Sequence, residues 1–253
     1  MVYIYNENGG NVMDKVNVKS KIVVTLSADK DQWEDLYKKV EDNELYIDII
    51  EYRADLCGGD QTADYLEDLK TLKEKFSNLP IIFTYRTCGQ GGKGKLEPNE
   101  YYALNRSIIE EGHIDIIDIE LFLYEDLRNE LIDLAHDKGI QVLVSHHEMD
   151  HTPSLKEMKA FYQHMQQLNV DYSKLAVMPE DGRDVLKLLT AVYETKQDSD
   201  HHIVGIAMGE QGKLSRLAGG VFGSALTYGH IGQEAAPGQL HVQQLKALME
   251  IYQ

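Results

Sequence analysis

The strongest constraint on this chain is a rhythm. Short runs rich in β-branched and aliphatic residues begin at Ile22 (IVVTL), Tyr46 (YIDIIEYR), Ile81 (IIFTYR), Ile114 (IDIIDIE), Ile140 (IQVLVS), Tyr172 (YSKLAVM), Ile203 (IVGIA) and Ala225 (ALTY). Their starts lie 22 to 35 residues apart, room for one strand and a returning helix. Apolar residues recur between them at helical spacing: Trp33, Leu36, Tyr37 and Val40; Leu66, Leu69, Leu72 and Phe76; Leu155, Met158, Phe161, Tyr162 and Met165; Val185, Leu188, Leu189 and Val192. Leu240, Leu245, Leu248, Met249 and Tyr252 predict a closing helix. Strand–helix alternation calls for parallel strands covered by helices. Eight units predict an α/β fold, a closed (β/α)8 TIM barrel over residues 21–253, as a single domain. Residues 1–20 are a short N-terminal extension, with Val2 to Tyr5 a candidate strand. The runner-up, an open doubly wound sheet, usually shows a glycine-rich loop after its first strand. Here that position reads Ser27-Ala28-Asp29-Lys30.

Composition narrows the function. Apolar residues make up 43% of the chain, enough for a sizeable core. The formal net charge of −17 opposes binding to nucleic acid or to an anionic membrane. No apolar run is long enough to cross a bilayer, and no basic-then-apolar leader is present, so a soluble, cytoplasmic protein is expected. Cys57 and Cys88 are too sparse for a disulfide framework or a zinc site and are expected to be free thiols.

In a barrel of this kind the active site lies at the C-terminal ends of the strands. Those ends carry Thr25, Glu51-Tyr52-Arg53, Arg86, Asp118-Ile119-Glu120, Ser145-His146-His147-Glu148, Lys174, Met208-Gly209 and, after the last strand, Ala236-Pro237-Gly238-Gln239. Lys174 is unusual because it sits in an otherwise apolar strand and shares a face with Ala176. Facing inward, its ammonium would be desolvated and crowded by arginines, which lowers its pKa and frees a nucleophilic amine. A strand-end lysine stretching to solvent is the commoner fate. A histidine from 146–147, on the neighbouring strand, is within reach as a proton shuttle, although a loop pair without a role reads equally from the residues. His147, Glu148 and His151 also cluster, but without the helical H-E-x-x-H pattern a metal is not expected. Arg53, Arg86 and Arg216, in so acidic a chain, point to an anionic ligand. The loop Gly89-Gln90-Gly91-Gly92-Lys93-Gly94 lacks the P-loop pattern and reads as a mobile active-site loop.

The segments EYRADL (51–56), FTYRTCGQGGK (83–93), SHHE (145–148), KLAVMP (174–179), MGEQGKLSRLAGGVFGSALTYG (208–229) and APGQ (236–239) resemble, in that order, the type I 3-dehydroquinate dehydratases. The resemblance implies a (β/α)8 barrel, often a homodimer, acting in the shikimate pathway with no metal or organic cofactor. The implied reaction is syn elimination of water from 3-dehydroquinate to give 3-dehydroshikimate. Lys174 then matches the imine-forming lysine, His147 the catalytic histidine and Arg216 the carboxylate-binding arginine. Glu51, Arg53 and Arg86 match the residues around the substrate hydroxyls, Thr25 the strand-one hydroxyl and Gln239 the glutamine of the closing loop. Met208 and Tyr228 match pocket-lining positions, the latter carrying Phe in the family pattern. Two further departures are Gln90, where the pattern has Glu, and Ala235, where it has Ser. Two alternatives remain open: an aldolase-type Schiff-base barrel lyase, and a non-catalytic binding protein for a small cyclic carboxylic acid.

Overall fold

The computed structural model describes residues 18–27, 32–58 and 61–251. The candidate strand at Val2–Tyr5 and the last residue of the closing stripe, Tyr252, lie outside them. The chain alternates β1 (Lys21–Leu26), α1 (Trp33–Asn43), β2 (Ile49–Arg53), α2 (Thr62–Lys75), β3 (Ile81–Thr84), α3 (Pro98–Glu111), β4 (Ile116–Glu120), α4 (Glu125–Asp137), β5 (Gln141–Glu148) and α5 (Leu155–Gln167). It continues with β6 (Tyr172–Val177), α6 (Gly182–Gln197), β7 (His202–Ala207), α7 (Lys213–Ala218), β8 (Leu226–His230), a two-residue β9 (Leu240–His241) and α8 (Val242–Met249). Two predicted strand starts shift. Residues 44–46 form a 3₁₀ turn, so β2 opens at Ile49 rather than Tyr46, and β4 opens at Ile116 rather than Ile114.

All neighbouring strands are parallel, and β1 pairs with both β2 and β8, aligning Val23 with Ile49 and with Tyr228. The ring closes differently between β7 and β8. There a single bridge joins Ile203 to Ser224, with the Ala225 N–H donating to the Ile203 carbonyl at 2.7 Å. The Ser224 hydroxyl does the rest: it accepts from the Gly205 N–H at 3.2 Å and donates to the Leu226 carbonyl at 3.1 Å. A side chain thus replaces ladder bonds that would otherwise be left unmade in a buried place.

The lower rims of three strands share one device. Asp48, Asp115 and Asp171 each precede an even-numbered strand, and their carboxylates accept the Ile22, Ile81 and Val142 N–H groups at 2.7 to 2.8 Å. Each carboxylate satisfies a backbone donor near the start of the preceding strand, at the end of the barrel opposite the strands' C-terminal ends.

Alternation along the strands divides the buried residues into two sets. Outward residues such as Val24, Ile50, Phe83, Ile117 and Val144 pack beneath α1 to α4 and α8, and Leu175, Val177 and Ile203 pack beneath α5 and α6. Inward residues Val23, Ile49, Ile82, Ile116, Leu143, Tyr172, Val204 and Leu226 meet in a separate apolar cluster that fills the bore. Two residues further along each strand come Thr25, Glu51, Thr84, Asp118, Ser145, Lys174, Ile206 and Tyr228. The apolar plug is the floor on which that second inward set stands.

Candidate active site

The second inward set is a polar network with one amine in it. Lys174 Nζ donates to Tyr228 Oη at 3.0 Å and lies 3.8 Å from Glu51 Oε1 and 3.9 Å from Asp118 Oδ2. Glu51 is fixed by the Thr25 hydroxyl at 2.7 Å and the Thr84 hydroxyl at 3.2 Å. Asp118 accepts from the Ser145 hydroxyl at 2.6 Å. Burial lowers the Lys174 pKa; Glu51 and Asp118 oppose that shift, while Arg86 and Arg53 add to it. The expected crowding by arginines is therefore a lesser effect: desolvation comes first, and the nearest charges are carboxylates.

The three arginines are not equivalent. Arg53 makes a two-pronged pair with Asp55, at 2.8 and 3.0 Å. Arg86 is buried and bound to Asp118, Glu120 and the Ser145 hydroxyl. Burial works against its charge, but Asp118 and Glu120 outweigh it and raise its pKa. Arg216, on α7, is just as buried but donates only to carbonyls, those of Pro237 at 3.1 Å and Tyr228 at 3.5 Å. Its Nε has no partner, and burial pushes the group down to about 10, low for a guanidinium. It stays charged at neutral pH, a buried cation short of an anion.

Alternation also separates the two histidines. His146 points outward, wedged between Phe122 and Phe161 with ring centroids 4.8 and 4.7 Å away, and its Nε2 meets Glu148 at 2.9 Å. His147 points inward to the site, with Nδ1 unpartnered. Burial first, then Arg86, Lys174 and Arg53, hold its pKa well below the usual imidazole value. It is a neutral base at neutral pH.

Two loops border the site: 87–94 reaches the His147 main chain, and 234–239 contributes to the pocket lining. Residues 87–94 double back, with the Cys88 N–H on the Gly94 carbonyl and the Gly94 N–H on the Arg86 carbonyl. A Cβ on Gly92 or Gly94 would meet the Arg86 carbonyl oxygen at 2.1 or 2.7 Å. Close backbone approach gives both glycines a steric reason. Gln90 Oε1 accepts the His147 backbone N–H at 2.7 Å. That N–H lies beyond Glu120, the last β4 residue paired with β5. Position 90 thus reaches His147 through its main chain. The second loop, 234–239, is held by the Gly209 N–H on the Pro237 carbonyl and by Gln239 Oε1 on the Ala235 N–H.

One pocket of about 460 Å³ is lined by all ten residues singled out from the sequence: Thr25, Glu51, Arg53, Arg86, His147, Lys174, Met208, Arg216, Tyr228 and Gln239. Residues 22–253 match the family model described as type I 3-dehydroquinase. A 3-dehydroquinate dehydratase of Staphylococcus epidermidis is 42% identical over 234 residues, 92% of this chain and 98% of the relative.

The chain belongs to the type I 3-dehydroquinase family.

Solved structures agree. The 3-dehydroquinate dehydratase of Geobacillus kaustophilus superposes with a TM-score of 0.87 at 29% identity, over 92% of this chain and 91% of that one. The type I enzyme of Clostridium difficile, solved with covalently modified comenic acid, gives 0.87 at 33% identity, over 93% of each chain. Within this dehydroquinase site, the pocket-lining Ile206 was not named from the sequence, and Ala176, Ala235 and Ala236 were named without a place in the pocket. Asp118, Glu120, Ser145 and Asp55 were also missed as the partners that fix Lys174 and the arginines. Parity would have found two of them, since Asp118 and Ser145 stand two places after the inward Ile116 and Leu143. Among the described residues no group of three or more His, Cys, Asp or Glu could hold a metal ion, and no helix is long and apolar enough to cross a membrane.

Proposed function

We propose that this dehydroquinase converts 3-dehydroquinate to 3-dehydroshikimate through an imine on Lys174. The observation that carries the reading is a buried amine of lowered pKa and a neutral histidine in one pocket with a buried guanidinium that hydrogen-bonds carbonyls and, among the described residues, makes no ion pair, Glu234 acting on it only from a distance. The substrate carboxylate pairs with Arg216, supplying the anion that the buried cation lacks. Its hydroxyls face Glu51, Arg53 and Arg86, whose own partners hold them in place. The Lys174 lone pair then attacks the ketone carbon, and loss of water leaves a protonated imine.

That cation acidifies the neighbouring CH₂. His147 takes one of its protons, the electron pair moves into the imine, and on its return the hydroxyl leaves with a proton from His147 on the same face. Hydrolysis frees the ketone product and the lysine. The Glu51 and Asp118 carboxylates, nearly 4 Å from Nζ, favour the iminium charge without reaching the nitrogen. A cytoplasmic setting is supported by Cys57 and Cys88, neither of which is in a disulfide. A homodimer follows from the family resemblance, and its test is mass in solution.

The deciding experiment offers 3-dehydroquinate, follows the conjugated-enone absorbance, and adds borohydride during turnover. A product signal and a reduced adduct on the Lys174 peptide are expected. Turnover without an adduct, or an adduct on another lysine, would remove Lys174 from this role.

A further inference from the structure

The imine chemistry needs more from its surroundings than a low pKa. A neutral primary amine has two N–H bonds and one lone pair, and it attacks only when the lone pair faces the carbonyl carbon. In this chain a hydroxyl, at a position where the family pattern carries Phe, is placed to hold the N–H bonds elsewhere. In this site the two carboxylates beside Lys174, at 3.8 and 3.9 Å, are past hydrogen-bond reach. Tyr228 Oη, at 3.0 Å, is within it. The same nitrogen stands 4.2 Å from the Tyr228 ring centroid, so it is pinned over the ring near its hydroxyl end. Tyr228 is buried on β8, which reaches β6 only across β7 or across the bore.

We propose that the Tyr228 hydroxyl is a catalytic residue of the imine steps, accepting a hydrogen bond from Lys174 nitrogen as amine, carbinolamine and iminium and so aiming its lone pair at the ketone. The assignment rests on the imine reading of Lys174. In the step it serves, the nitrogen lone pair forms the C–N bond and the carbonyl π pair moves to oxygen. One nitrogen proton passes to that oxygen. A second proton, taken up from solvent and relayed by His147, lets the oxygen leave as water while the remaining nitrogen pair forms C=N⁺–H. His147 is then neutral and ready for the CH₂ proton. The iminium keeps one N–H, and Tyr228 Oη is its acceptor. Tyr228 itself exchanges no proton: burial, Glu51 and Asp118 raise its pKa well above the usual phenol range, so it remains a neutral hydroxyl. Neutrality matters. A carboxylate at the same distance would hold Lys174 as an ammonium, whereas a hydroxyl orients the nitrogen with little bias towards the charged form.

Tyr228→Phe removes one oxygen and keeps the ring. Single-turnover mixing with 3-dehydroquinate, quenched by borohydride at successive times and repeated across pH, reads imine formation directly. The plateau rate should fall at least fivefold. The pH of half-maximal trapping should move little, because a neutral hydroxyl biases the nitrogen little towards its charged form. Affinity for a cyclic carboxylic acid without a ketone should stay within twofold, since Arg216 is untouched. A plateau loss below fivefold, or a rate loss wholly explained by a moved limb, overturns the assignment. Should the Phe variant misfold, site-specific 3-fluorotyrosine, a weaker acceptor of the same shape, must slow trapping or the proposal fails. If wild type traps nothing, the imine reading falls; if wild type and Tyr228→Phe trap alike, only Tyr228 does.

Discussion

Two successive inward positions on the same eight strands are built to opposite rules. The lower set, Val23 to Leu226, is apolar but for the Tyr172 hydroxyl and buries its side chains against one another. The upper set, two residues on, holds an amine, two carboxylates and four hydroxyls, with Ile206 the apolar member. The lower set gains from removal from water; fully burying a side chain such as Leu143 is worth about 1.5–3 kcal/mol. The upper set costs desolvation that hydrogen bonds only partly offset, and that shortfall is what lowers the Lys174 pKa. Stability and reactivity are thus segregated by a single step of strand alternation, and each half can be tested without the other.

The largest effect belongs to the upper set. Lys174→Ala should abolish turnover in the enone assay while leaving the barrel folded. Substantial residual turnover would break the division at its centre. Leu143→Ala, two residues below Ser145, should do the reverse: a loss of about 2–5 kcal/mol in denaturant unfolding, with kcat of the folded enzyme within twofold. A kcat that fell with stability would show that the plug and the site act as one unit.

A finer contrast lies within the cations. Arg216→Lys should weaken a carboxylate ligand by about 1.5–3 kcal/mol in calorimetry, since an ammonium cannot make the forked contact. The smallest effect concerns pH. His147 is held neutral by burial and neighbouring cations, so the acid limb of kcat/KM should lie below the ordinary imidazole value. Gln90→Glu places a carboxylate on the residue that grips the His147 backbone; an anion favours the imidazolium, so the limb should move to higher pH. An unmoved limb would mean that position 90 serves only the main chain. Stability carries the same sign. A folded-state pKa below the unfolded one means stability is full above about pH 6.5. It is lost as the pH falls from there through the folded value.

Much of this was legible because a strand's alternation is written locally. The eight runs located the barrel, and the lysine inside an apolar strand marked the site. What failed was anything decided between strands. Asp118 among isoleucines reads as a strand end, and only the register with β3 and β5 makes it the partner of Arg86 and Ser145. The helices α3 and α4 were not singled out; their buried stripes contain Asn105 and Arg128, whose polar groups bond the carbonyls of Tyr101 and Leu121. The close approach of Gly92 and Gly94 to Arg86 likewise leaves no mark in composition.

The pairing of β1 with β8 also bears on how the molecule is made. A chain emerging from the ribosome completes β1 early, yet one of its two neighbours, running from Leu226, is among the last segments to appear. Until then that side of β1 carries unpaired backbone groups, and the closing contact joins residues nearly a full chain apart. Such non-local closure makes folding slow and leaves an open edge exposed to other chains in the interval. The hazard during synthesis therefore lies in the first strand waiting for the last, and both of those strands carry residues of the site that the finished ring encloses.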